Sequence, residues 1–164
     1  MVVLSDTELR KLMSNKVIKH FRGIFMSDEF PKRKSGYYIY NLDNSKGDAS
    51  ESKDGSIGNH WLGLVVRDDR AEYLDPYGKP PDEALVRWLK RGRPSYPIWY
   101  STTPIQAIDS SNCGFYVMSF LEDIANGVSF YDAIHKYKLR DTKSNEEKIK
   151  SKYNIDERNQ RYTK

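Results

Sequence analysis

Cysteine is nearly absent from this chain: among 164 residues, Cys113 is the only one. A lone cysteine excludes an internal disulfide and a multi-cysteine zinc site, and it suits a reducing compartment. Long apolar runs are lacking as well. No stretch approaches the roughly 18–20 residues needed to cross a membrane, and the opening MVVLSDTELRK has no basic region followed by an apolar core. The expectation is a soluble intracellular protein with no membrane contact. There is no internal repeat and no break in composition, so the length predicts one domain able to bury a core without disulfide or metal. Net charge is scarce in the body of the chain. Of the formal +4, three charges come from residues 140–164, with eight Lys or Arg against five Asp or Glu. We therefore expect a domain over 1–139 followed by a charged C-terminal segment, 140–164. Mixed signs favour a tail or solvated surface helix there, with DNA contact as the weaker alternative.

What the chain does contain is an ordered series of structural signals. Ser5 and Glu8 have capping-box spacing ahead of Leu9, Leu12 and Met13, which predicts a helix over SDTELRKLMSNKVIKHF. FRGIFMSDEFPKRKSG, broken by Gly23, Pro31 and Gly36, predicts a loop-rich passage. YYIYNL, residues 37–42, is strand material, and residues 43–59 are too polar to offset the entropy of ordering, which predicts a mobile loop. WLGLVV and AEYLD predict a hairpin turning at RDDR, and KPPDEALVRWLKRG carries helix start and stop signs. PSYPIWYS predicts an edge strand, CGFYVMSFLEDIA a buried helix, and SFYDAIHKYKLR a helix capped by Ser129. The class this order predicts is α+β.

Cys113 lies where a polar loop gives way to its helix. Ser110, Ser111 and Asn112 are N-cap types, so the thiol stands near unpaired N–H groups and the positive end of the helix dipole. That setting favours a reactive thiolate, although a single free cysteine is as often a small buried hydrophobe. Gly114 beside it permits close approach of a substrate or another backbone. Of three histidines, His20 and His135 lie in amphipathic helix patterns, whereas His60 opens the strand WLGLVV at the end of a Gly-rich loop, where a general base can be held and still reached. Asp75, in the turn YLDPYG, can orient His60 if the hairpin register brings both ends together; Glu72 alternates to the opposite face. Gln106, seven residues before Cys113, can join the Cys113 N–H in donating to an oxyanion. Each signal alone has an ordinary structural explanation, but together they point to one reaction.

The order His60, Asp75, Gln106, Cys113, in the motifs NHWLGLVV, EYLDPYG and QAIDSSNCGFYVMSFL, resembles adenain, the adenovirus maturation protease, and the related cysteine proteases that process ubiquitin-like modifiers such as SUMO. TELRKLM followed by FRGIFMSDEFP resembles the amino-terminal helix and loop of the adenain branch, and the resemblance runs from residue 5 to about 127. It implies a papain-like α+β fold in adenain-type chain order, with a central mixed sheet packed by the cysteine helix. It further implies Cys113 as nucleophile, His60 as base and then acid, Asp75 as orienting carboxylate and Gln106 as oxyanion donor. Trp61 then resembles the family tryptophan beside a cleft for small residues, glycine foremost, and remains equally readable as a core aromatic. Adenain has Glu where this chain has Asp75, which the modifier proteases share. Adenain is also activated by DNA and by a peptide joined through a second cysteine. This chain has no second cysteine, so a disulfide-linked activator through a noncatalytic thiol is excluded, while a noncovalent peptide or DNA activator is left open; no cofactor is required by sequence.

The function this implies is a thiol endopeptidase of the host-cell interior or the virion, maturing capsid or core precursor proteins of a DNA virus or virus-like element. The alternatives are a protease of ubiquitin-like modifiers and a noncatalytic DNA- or capsid-binding protein of the same fold.

Overall fold

The computed structural model describes residues 4–14, 18–42 and 60–156. The polar stretch 43–59 and residues 157–164 therefore lie outside the described residues, as does any covering of the site by the former. The chain opens with helix α1 (Asp6–Ser14), where the capping box forms as expected: Ser5 N donates to Glu8 Oε2 at 2.8 Å, and Glu8 N to Ser5 Oγ at 3.2 Å. Strands β1 (Phe21–Met26), β2 (Gly36–Asn41), β3 (Trp61–Val66) and β4 (Ala71–Leu74) follow, then α2 (Glu83–Lys90), β5 (Ile98–Tyr100), α3 (Cys113–Ala125), α4 (Phe130–His135) and α5 (Thr142–Tyr153).

The five strands form one sheet in chain order. The inner pairs β2–β3 and β3–β4 are antiparallel, and the outer pairs β1–β2 and β4–β5 are parallel, so the sheet is mixed. Both faces are covered. On one side α3 packs against Ile39, Trp61 and Val65, with Leu9, Leu12 and Met13 of α1 in the same core. On the other, Leu85, Trp88 and Leu89 of α2 pack against Tyr38, Tyr40, Leu62, Leu64 and Tyr73. This double coverage explains why WLGLVV is apolar throughout: every residue of β3 is buried. Gly63 marks a tight approach, since a Cβ there would lie 2.9 Å from Phe120 Cδ1 of α3.

Two expectations need correction. Residues 21–26, read as part of a loop, are strand β1: Gly23 interrupts the β-pattern because it sits at a register shift against β2 with φ +121°. The described part of the first helix is Asp6–Ser14, and His20, expected in a helix pattern, takes a left-handed turn (φ 67°) that leads into β1. The charged segment from residue 140 supplies α5, whose Ile149 and Tyr153 are buried in the same core as Cys113; this described part is continuous with the core.

Candidate active site

The site begins at one end of the β3–β4 hairpin. Gly63 pairs with Leu74, so His60, just ahead of β3, and Asp75, just beyond β4, emerge at the same edge. His60 Nε2 and Asp75 Oδ1 are 2.8 Å apart. A carboxylate only accepts, so Nε2 carries the proton and Nδ1 is the nitrogen left for Cys113. Asp75 is 2% exposed, a cost offset by a second hydrogen bond from Tyr77 N to the same oxygen at 2.8 Å. The turn closes with Gly78 N donating to Asp75 O at 2.8 Å, and its φ of +75°, with Pro104 N only 2.7 Å from a built Cβ, requires glycine. Burial pushes the His60 imidazole down, but hydrogen bonds to Asp75 and to Cys113, together with their charges, outweigh it and hold the imidazole up at about 9.

Cys113 is the first residue of α3 and is buried. Asn112 is the N-cap, but its side chain makes no capping bond. Trp61 N donates to Cys113 Sγ at 3.4 Å, so the start of β3 and the start of α3 meet at the sulfur, with His60 beside it. A thiol, an imidazole and a carboxylate thus converge in the order a nucleophile, base and orienting acid require.

Trp61 and Gly114, expected beside a substrate, both touch Leu4. The Trp61 indole N–H donates to Leu4 O at 2.8 Å, and a Cβ on Gly114 would lie 3.0 Å from Leu4 Cδ1 and 3.3 Å from Trp61 Cδ1. Trp61 is 1% exposed, so its indole is packed as a core aromatic. Gln106 is also buried. Its Nε2 donates to Ser110 O at 3.0 Å, with Ser110 Oγ at 3.3 Å and Tyr77 Oη at 3.5 Å, so its amide protons point into its own loop. The backbone of that loop is tied to the Asp75 turn: Ile105 N and Gln106 N both donate to Pro76 O, at 2.9 and 3.0 Å.

Sequence reasoning passed over Tyr77 and the pair Asn145–Glu146. The Tyr77 ring stacks on His60, centroids 4.8 Å apart at 27°, and its hydroxyl donates to Ser110 O at 2.7 Å. Burial, then the nearby charges of Cys113, Glu146, Asp75 and Asp109, pushes this phenol up to about 12, which keeps it a donor at neutral pH. The aromatic between Pro76 and Gly78 was the available signal. Glu146 and Asn145 reach the same loop from α5, and nothing in a charged helix pattern sets them apart from their solvated neighbours. Among the described residues, no group of three or more His, Cys, Asp or Glu side chains converges where a metal could be held, and no helix is long and apolar enough to cross a membrane.

No family model matches this sequence, and no curated protein matches it. Among solved structures, the crystal structure of the ASFV pS273R protease aligns with a TM-score of 0.44 and 18% sequence identity, over 65% of this chain and 40% of that one. This chain thus spans two fifths of that protein's length.

Proposed function

We propose that this chain is a cysteine endopeptidase. The observation that carries the reading is the His60–Asp75 hydrogen bond at 2.8 Å, which commits Nε2 and turns Nδ1 to the Cys113 thiol at the start of a helix. In the first half-reaction sulfur, its proton already held at Nδ1 of the His60 imidazolium, bonds to the scissile carbonyl carbon; the C–N bond then breaks and the imidazolium gives that proton to the leaving amine. In the second half, His60 takes a proton from water, the water oxygen bonds to the acyl carbon, and the C–S bond breaks to regenerate the thiol. Asp75 keeps the ring oriented and stabilises the imidazolium throughout. Gln106 is a candidate oxyanion donor whose amide must first exchange a Ser110 contact for the substrate oxygen.

A small residue, glycine foremost, at the cleaved bond and virion precursor proteins as substrates complete the proposal; both rest on the motif resemblance around NHWLGLVV and SSNCGFYV. The test is cleavage of glycine-containing peptide libraries with and without added DNA, alongside alkylation of Cys113 by iodoacetamide. Cys113→Ala should abolish cleavage, and His60→Ala should reduce it by roughly 10²–10⁴-fold and slow alkylation at neutral pH. No cleavage, combined with alkylation that His60→Ala leaves unchanged, would reject the enzymatic reading.

A further inference from the structure

The loop that carries Gln106 and ends at Cys113 is anchored from α5. Glu146 Oε1 accepts from Ala107 N at 3.0 Å, and its Oε2 accepts from Asn112 Nδ2 at 2.9 Å. Next to it, Asn145 Nδ2 donates to Ile105 O at 3.1 Å and to Lys138 O at 2.8 Å, while its Oδ1 accepts from Lys138 N at 2.8 Å. Both side chains are buried, at 7% and 2% exposure. A buried carboxylate is unfavourable unless its oxygens are satisfied, and here one carboxylate grips both ends of the span 107–112.

The hold on Asn112 has a second effect. An asparagine at an N-cap ordinarily turns its oxygen onto the N–H of the second or third helical residue. Asn112 makes no such bond; its amide nitrogen is drawn to Glu146, and its Oδ1 finds no hydrogen-bond partner among the described residues. The Asn112 side chain thus serves the loop, while its backbone oxygen takes Phe115 N and Tyr116 N of α3, at 3.0 and 3.1 Å.

We propose that Glu146 is a positioning residue for the oxyanion half of the site: by fixing Ala107 and Asn112 it sets the loop of Gln106 against the start of α3, and with it the direction of the donor a developing oxyanion meets. This rests on the peptidase reading above. When Sγ adds to a carbonyl, the C–S bond forms, the C=O π pair moves to oxygen and the thiol proton resides on His60. Glu146 exchanges no proton and touches no reacting atom.

Two reagents separate its role from that of the thiol. A peptide aldehyde forms a thiohemiacetal whose oxygen occupies the oxyanion position, whereas iodoacetamide forms a C–S bond with loss of iodide and creates no such oxygen. Glu146→Ala should weaken aldehyde inhibition at least tenfold, by the loss of donors aimed at the oxyanion, and lower kcat with little change in KM, while the alkylation rate stays within about twofold. Glu146→Gln should recover most of the loss, because its Oε1 can accept from Ala107 and its Nε2 can donate to Asn112 once that amide turns over. Glu146→Asp keeps the charge but is one methylene too short to span both partners; it should behave as Glu146→Ala and serves where the alanine variant does not fold. Aldehyde inhibition and alkylation falling together in these variants, or neither changing, would overturn the proposal. If the wild type itself forms no aldehyde adduct, the peptidase reading fails and this inference with it. A wild type that forms the adduct with variants equal to it removes the positioning role alone.

Discussion

Tyr77 lies flat against His60, ring on ring at 4.8 Å, and the same side chain fixes Ser110 O at 2.7 Å. One residue therefore joins the base to the loop that leads to the nucleophile. Tyr77→Phe keeps the stack and loses the hydrogen bond, and should cost about 1 kcal/mol of stability with a modest fall in kcat. Tyr77→Ala also frees the imidazole to rotate and should lower kcat well beyond the phenylalanine variant. Urea melts and steady-state kinetics check both; equal kcat in the two variants would mean the stack does nothing for the base.

The state of His60 is measurable by NMR titration of its ring. Its midpoint should lie near 9, above the ordinary 6.5. Burial alone acts downward, so Asp75→Asn, which removes the main opposing partner, should bring the midpoint down sharply. Because the folded value exceeds the unfolded one, the stabilisation is fully present below about pH 6.5 and is lost as pH rises through about 9. The gap in Tm between wild type and His60→Ala should accordingly narrow from pH 6 to pH 10; a constant gap would contradict the assigned titration.

Gly63 of β3 leaves no room for a side chain against the cysteine helix. Gly63→Ala places a methyl 2.9 Å from Phe120 Cδ1 and 3.4 Å from Val117 Cγ1, and the Phe120 ring or α3 must shift to admit it. Overpacking of this kind costs about 1–3 kcal/mol, readable as a lower urea midpoint. An unchanged midpoint would show that Phe120 yields without strain.

Asp82 tests the opposite face of the sheet. It caps α2 by accepting from Leu85 N at 3.0 Å and also accepts from the buried Tyr40 hydroxyl at 2.9 Å. Asp82→Ala loses a cap and strands a buried donor, about 2–4 kcal/mol together, and Asp82→Asn should restore most of it. Below the melting range, peptide cleavage should be unaffected in both, since these contacts belong to the α2 layer; a large loss of kcat would show that the two layers communicate.

The hairpin was legible because strand content and turn residues are local properties, but its register was not: β3 is buried on both faces, so no alternation fixes it, and the pairing of His60 with Asp75 was conditional on a register that only the folded sheet supplies. The cysteine helix was legible for a similar reason, since Tyr116, Val117, Phe120 and Leu121 recur on one face. β1 was hidden by Gly23, which reads as a breaker in sequence and acts as a bulge in the sheet. Tyr77 was hidden behind Pro76 and Gly78, whose turn chemistry accounts for YLDPYG without the aromatic. Glu146 and Asn145 were hidden most deeply. Polar residues in a basic helix are assigned to solvent by composition, and only tertiary packing turns these two inward. The two amide protons of Gln106, directed to Ser110 and Tyr77, likewise depend on loop geometry that spacing does not encode.

The hairpin also has a consequence for the order in which the chain acquires its chemistry. His60 and Asp75 are fifteen residues apart, whereas Trp61 N and Cys113 Sγ are separated by fifty-two. Closing the longer loop costs about 1 kcal/mol more in chain entropy, and it also requires α2, β5 and the Gln106 loop to be in place. A chain leaving the ribosome can thus pair its imidazole with its carboxylate long before a nucleophile reaches them. The sulfur is the last of the three groups to arrive, so chemical competence reports that the cysteine helix has docked on the finished hairpin.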